Sequence, residues 1–78
     1  MTEILGTTVS VDSTLLASMS YQAHTARLEL EFRDGAVYRY FDVPPDIYEG
    51  LLGANSKGVY FNRRIRDSFP YALIGQSE

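Results

Sequence analysis

The residues best suited to binding chemistry stand together in the run Ser56-Lys57-Gly58-Val59-Tyr60-Phe61-Asn62-Arg63-Arg64-Ile65-Arg66. Residues 57 to 66 carry Lys57, Arg63, Arg64 and Arg66 and no acid, +4 in a chain of net charge −3, so the remainder carries −7. At about 100° per residue on a helix, Lys57, Tyr60, Arg63 and Arg64 fall in one arc beside an apolar stripe of Gly58, Phe61 and Ile65. Cations around an aromatic ring can take phosphates on the former and an unpaired base on the latter, the combination used by single-strand binders. The plainer reading is a solvated face, with Asp67 pairing Arg63 or Arg64 at helical spacing and Tyr60 covering the core edge. Ser56-Lys57-Gly58 likewise has two readings, an anion at the free amides of a helix start or a simple serine cap with close packing at glycine.

Catalysis has little to draw on. The chain has one histidine and no cysteine, and its acids are scattered without a shared focus. His24, beside Thr25 in a turn, has no evident acid or serine partner for general-base work. Glu29 and Glu31 share a strand face, where Arg27 and Arg39 are the expected partners. No spacing suits a zinc or calcium loop. A protein that is not an enzyme, and that needs no cofactor or metal, is therefore expected.

The elements that must position these residues follow from periodicity. Asp12-Ser13 before Leu15 and Leu16 reads as a cap on a short turn or helical stub. Ser18 to Gln22 alternates as a strand with Met19 and Tyr21 on one face, and His24 and Thr25 follow in a turn. In the hairpin from Arg27 to Phe41, a two-residue Asp34-Gly35 loop would set Leu30 against Arg39 and mix charge into the apolar face. A three-residue loop, Arg33-Asp34-Gly35 with Gly35 in the left-handed region, sets Leu30 against Tyr38, Leu28 against Tyr40 and Glu29 against Arg39. The second register sorts the faces and is the one expected. It puts Tyr38 and Tyr40 in the core with their hydroxyls bonded at an edge, rather than on an open sheet stacking bases.

Pro44-Pro45 stops the strand and opens a helix with a stripe of Ile47, Tyr48, Leu51 and Leu52, ended by Gly53. The second helix follows from Ser56. Pro70 blocks its extension, leaving Phe69, Tyr71, Leu73 and Ile74 to close the core. The fold class expected is α+β: a three-stranded antiparallel β-meander with two C-terminal helices packed on one face. The expected divisions are an arm at residues 1–8, one domain at 9–74 and a frayed end at 75–78.

Seventy-eight residues, 45% of them hydrophobic, make one modest core. The absence of cysteine fits a reducing compartment, so the cytoplasm is expected. No stretch approaches the roughly 20 apolar residues that cross a bilayer, and the N-terminus has no signal-peptide pattern, so no membrane partner is expected.

Phe32-Arg33-Asp34-Gly35-Ala36-Val37-Tyr38-Arg39-Tyr40, Val43-Pro44-Pro45 and the run Ser56 to Arg66 together resemble the KTSC domain over about residues 9 to 74. That family takes its name from a C-terminal extension of some lysyl-tRNA synthetases and includes stand-alone bacterial proteins. Its marks are a central Tyr-x-Tyr, matched by Tyr38 and Tyr40, and a helix matched by Ser56, Gly58, Phe61, Asn62 and Ile65. The resemblance implies an RNA-binding module. Joined to the charge pattern, it leads to a non-catalytic module contacting RNA or single-stranded nucleic acid through Lys57, Tyr60, Arg63, Arg64 and Arg66. The alternative is a protein-interaction or oligomerisation module using Val37 and Phe41 on the outer sheet face and Phe69 or Tyr71 at the C-terminal edge.

Overall fold

The computed structural model describes residues 7–10 and 13–76. Its elements are β1 (Thr7–Ser10), β2 (Leu16–Gln22), β3 (Arg27–Phe32), β4 (Ala36–Tyr40), α1 (Pro45–Gly53), α2 (Lys57–Arg64) and β5 (Tyr71–Gln76). They form one antiparallel sheet in the order β1-β2-β3-β4-β5, with both helices inserted in the connection from β4 to β5. The architecture is α+β as expected, but the meander has five strands rather than three.

The two unexpected strands are the edges. β1 reads Thr-Thr-Val-Ser, too short and too polar to show a period of its own; it is a strand because it pairs with β2, Val9 opposite Met19 and Ser10 opposite Ser18. Thr7 and Thr8 are therefore in the sheet, not in an arm, and the rest of the expected arm lies outside the described residues. β5 takes the stretch after Pro70 that was assigned to closing the core. Paired on one side only, it leaves Tyr71 58%, Leu73 57% and Ile74 41% exposed. Gly75 and Gln76, placed in the frayed end, pair with Val37 and Ala36; residues 77–78 lie outside the described set.

The central hairpin has the sorted register. Leu28 faces Tyr40, Glu29 faces Arg39 and Leu30 faces Tyr38, joined through Arg33-Asp34-Gly35. Gly35 has φ 97°, a conformation glycine reaches without the penalty a Cβ brings, and its N–H donates to Phe32 O at 2.9 Å. The Asp34 carboxylate accepts from Ala36 N at 3.0 Å, which fixes the exit from the turn. Beside this turn, at the start of β2, Ser13 Oγ accepts from the N–H groups of Leu15 and Leu16, so Ser13 makes a turn that leads straight into the strand rather than a helical stub. Asp12 lies outside the described residues.

One sheet face is covered by the helices. Leu16, Met19, Leu28, Leu30, Val43, Leu51 and Ile65 are each under 2% exposed. Tyr21 stacks on Tyr48 of α1 with centroids 4.8 Å apart, and its hydroxyl donates to Val43 O at 2.6 Å. Phe61 of α2 meets Phe32 and Tyr40 edge-on at 5.3 and 5.8 Å. Leu52, expected in the α1 stripe, is 40% exposed, because its position lies a further 100° or so round the helix from Leu51. On the opposite face Arg39 forms an ion pair with Glu29 at 2.7 Å. Glu31 accepts from Ser18 Oγ at 2.9 Å rather than pairing with Arg27, whose guanidinium lies 5.9 Å from the Phe41 ring centroid.

Candidate ligand cleft and basic helix

α2 begins where Ser56 Oγ accepts from Val59 N at 3.3 Å, a plain N-cap. A Cβ on Gly58 would meet Leu15 at 3.6 Å, ordinary contact, so close packing does not demand glycine there. With Phe61 and Ile65 turned to the sheet, the rest of the helix divides into two flanks. On one side Asn62 and Arg66 face β4 and β5. On the other, Tyr60, Arg63 and Arg64 line a shallow groove of about 330 Å³ with Val59 and the α1–α2 connection.

The expected basic arc is thereby redistributed. Lys57 Nζ donates to Leu52 O and Ala54 O, both at 3.0 Å, neutralising carbonyls left free at the end of α1. Tyr60 is half-buried and its hydroxyl donates to Ile47 O at 3.1 Å, tying α2 to α1. Its ring is partly covered by Arg64, whose guanidinium carbon lies 5.9 Å from the centroid. Arg66 sits across the helix from these groups and donates to Asn62 Oδ1 at 3.3 Å. Arg63, Arg64 and Arg66 are exposed and make no ion pair among the described residues. The pairing of Asp67 with Arg63 or Arg64 does not form. Lys57 and Tyr60, in contrast, serve the junction of the two helices.

A second, roomier concavity lies on the Asn62/Arg66 side. A cleft of about 460 Å³ opens between the end of α2 and the helix-covered face of β3, β4 and β5, walled by Phe32, Tyr38, Tyr40, Phe61 and Tyr71. Asp34, Asn62, Arg66 and Asp67 also line it, setting an amide, a guanidinium and two carboxylates beside a wall of rings. Tyr71 stands opposite Tyr40 in the β4–β5 ladder, with centroids 5.4 Å apart, and 5.7 Å from the Tyr38 ring.

Tyr38 and Tyr40 do share the helix-covered face, but neither hydroxyl has a hydrogen-bond partner among the described residues. Tyr40 is only 4% exposed. No buried side-chain oxygen or nitrogen among the described residues lacks a partner, so the tyrosine hydroxyls are wetted rather than sealed. Burial, then the neighbouring Tyr71 and Tyr38 and the charge of Asp67, push the Tyr40 hydroxyl up to about 12, with Arg66 opposing. It remains a neutral donor at any physiological pH. The Tyr-x-Tyr pair is thus both core and cleft wall.

Phe32, Asp34 and Asp67 are not among the residues the sequence offers for binding, and Tyr71 is offered only for a protein-interaction edge, not for this cleft. The signal for Tyr71 was its place just after Pro70 in an apolar run; only the pairing of β5 with β4 carries it to Tyr38 and Tyr40. Among the described residues no cluster of His, Cys, Asp and Glu could hold a metal, and no helix is long and apolar enough to cross a membrane. His24 is exposed in the β2–β3 turn and does not line the cleft.

An antiparallel five-stranded sheet, two helices crossing one face and an aromatic cleft beside the second helix define a small α+β domain. The KTSC domain family model matches residues 12–69, and the chain belongs to that family. A crystal structure of a KTSC domain protein from Yersinia pestis superposes with a TM-score of 0.87 at 30% identity, covering 90% of this chain and 99% of that one. An uncharacterised protein of Stutzerimonas stutzeri is 44% identical over 55 residues, 70% of this chain and 78% of the relative. A lysine–tRNA ligase of Nostoc punctiforme is 40% identical over 63 residues, 81% of this chain. The matched region is 11% of the ligase's length, so the likeness is to one segment of that enzyme.

Proposed function

We propose that the chain is a non-catalytic module that binds RNA or another single-stranded nucleic acid, taking phosphates on Arg63, Arg64 and Arg66. The observation that carries this reading is the state of those three guanidinium groups: exposed, close in sequence at and just past the C-terminal end of α2, and without carboxylate partners among the described residues. The rest of the chain is net acidic, so a polyanion would be attracted to the C-terminal end of α2, where it can span both flanks, and repelled elsewhere. Similarity to a segment of an enzyme named for acting on a tRNA supports an RNA over a DNA strand. Lys57 and Tyr60 are left out of the contact set because their polar ends are committed to α1 carbonyls.

Three phosphate contacts give weak binding with a single-strand salt slope of about −2 on logarithmic axes. The test is titration of a fluorescently labelled oligoribonucleotide at low and moderate salt. The parent should bind with that slope, and Arg63→Glu/Arg64→Glu should abolish binding. Equal affinity of parent and variant would end the proposal.

The second reading, association with a protein, draws on β5, an uncharged edge strand with Tyr71, Leu73 and Ile74 exposed. Val37 and Phe41, the outer-face candidates, are only half-exposed. Sedimentation with and without oligonucleotide separates the readings: strand-dependent change supports nucleic-acid binding, and strand-indifferent, concentration-dependent association supports the β5 edge.

A further inference from the structure

We infer that the cleft between α2 and β3–β5 is a seat for one unpaired nucleobase, stacked on Tyr71 with its polar edge turned to Asn62 and Asp67. This rests on the nucleic-acid reading and adds to it a second site, on the flank of α2 opposite the Arg63/Arg64 groove.

The size is suitable, since small-molecule sites run from about 300 Å³ upward and the cleft is about 460 Å³. Its wall supplies what a base needs on its faces. Tyr71 lines the cleft and is 58% exposed, so part of a large ring is available for stacking, with Tyr38 and Tyr40 beside it at 5.7 and 5.4 Å. Its polar residues supply what a base needs on its edge. Asn62 Oδ1 is held by Arg66, which leaves the Asn62 amide N–H groups as donors without a partner among the described residues. The Asp67 carboxylate has no hydrogen-bond partner among the described residues and is an acceptor. Donor and acceptor together match the mixed edge that unpaired bases display, so the seat discriminates little between bases.

The polar lining explains why a nucleotide rather than an apolar side chain fits here, although Asp34 and Asp67 offset the charge of Arg66. Arg66 lines the same cleft and is one of the three cations assigned to phosphates, so a base in the cleft brings its own phosphate toward a guanidinium. A lone aromatic side chain would leave Asn62, Asp67 and Arg66 covered and unanswered. The tyrosine pair that marks the family thereby gains a use beyond packing, as the rear wall that holds Tyr71 in place.

The test uses the full chain labelled with nitrogen-15. Adenosine 5′-monophosphate at millimolar concentration should shift the amide signals of Asn62, Arg66 and Tyr71, whereas ribose 5-phosphate, with the same phosphate and no base, should leave Tyr71 unmoved. An oligoribonucleotide should bind more tightly than an abasic strand of equal length, and Tyr71→Ala should remove that difference by weakening the base-bearing strand about 5- to 150-fold. Asn62→Ala, at an exposed position, provides a second variant expected to weaken the same strand. Equal binding of abasic and base-bearing strands, with Arg63→Glu/Arg64→Glu still abolishing both, would overturn the cleft and leave the arginine surface standing. Absence of strand binding by the parent would overturn both.

Discussion

Gly50 of α1 lets the Tyr60 ring of α2 approach closely, and Gly50→Ala tests that contact. A Cβ at residue 50 would overlap the Tyr60 hydroxyl and come within 2.7 Å of Cζ and 2.9 Å of Cε2. In an ordinary helix the change would stabilise by about 1 kcal/mol through backbone entropy. Here the ring must leave its place. Displacement gives up the hydrogen bond to Ile47 O, worth about 0.5–1.5 kcal/mol. Forcing an extra methyl into the helix contact costs about 1–3 kcal/mol more. Against the propensity gain, the net is a loss of about 0.5–3.5 kcal/mol. In a Tyr60→Ala background the ring is gone and the same substitution should recover its stabilising sign. Urea unfolding followed by far-ultraviolet circular dichroism across the four-member cycle measures both steps. A stabilisation by Gly50→Ala of equal size in both backgrounds would refute the latch and free Tyr60 to act as a stacking surface.

Lys57→Met should lower stability by about 0.5–1.5 kcal/mol, because two carbonyls at the end of α1 lose a charged donor, while oligonucleotide affinity stays unchanged. Leu51→Ala, at a position with no exposure, should cost about 2–5 kcal/mol by the same denaturant assay. Stability should also fall in alkali: burial raises the hydroxyls of Tyr21, Tyr40 and Tyr48, so above about pH 10 the unfolded chain gives up protons that the folded chain retains. The stabilisation is thus whole below pH 10 and lost as pH rises toward about 12, the value for Tyr40. For Tyr40, whose hydroxyl borders the open cleft and is screened by water, the contribution is about 1–2 kcal/mol; Tyr40→Phe should flatten that part of the urea-midpoint profile.

Local sequence determined the central hairpin, because alternation and Gly35 act between neighbours: only a three-residue loop separates leucines and tyrosines from Glu29 and Arg39. It likewise determined the two helix starts, where Pro45 and Ser56 satisfy or remove amide donors within one turn. The edge strands were decided by tertiary structure. Thr7 to Ser10 has no period to read, and Tyr71 to Gln76 has an apolar run that suits a core equally well; each becomes a strand only because a partner strand offers its unpaired backbone.

The candidate site divided in the same way. That cations gather near residue 60 is a property of the chain, but which of them stay available depends on what lies opposite. The end of α1 takes the amine of Lys57 and the hydroxyl of Tyr60, while no carboxylate among the described residues reaches Arg63. The cleft had no sequence signature at all, since its walls come from β3, β4, the end of α2 and β5. Side chains so far apart along the chain meet only after the sheet has closed its last pair of strands, and a pattern read along the backbone carries no information about that meeting.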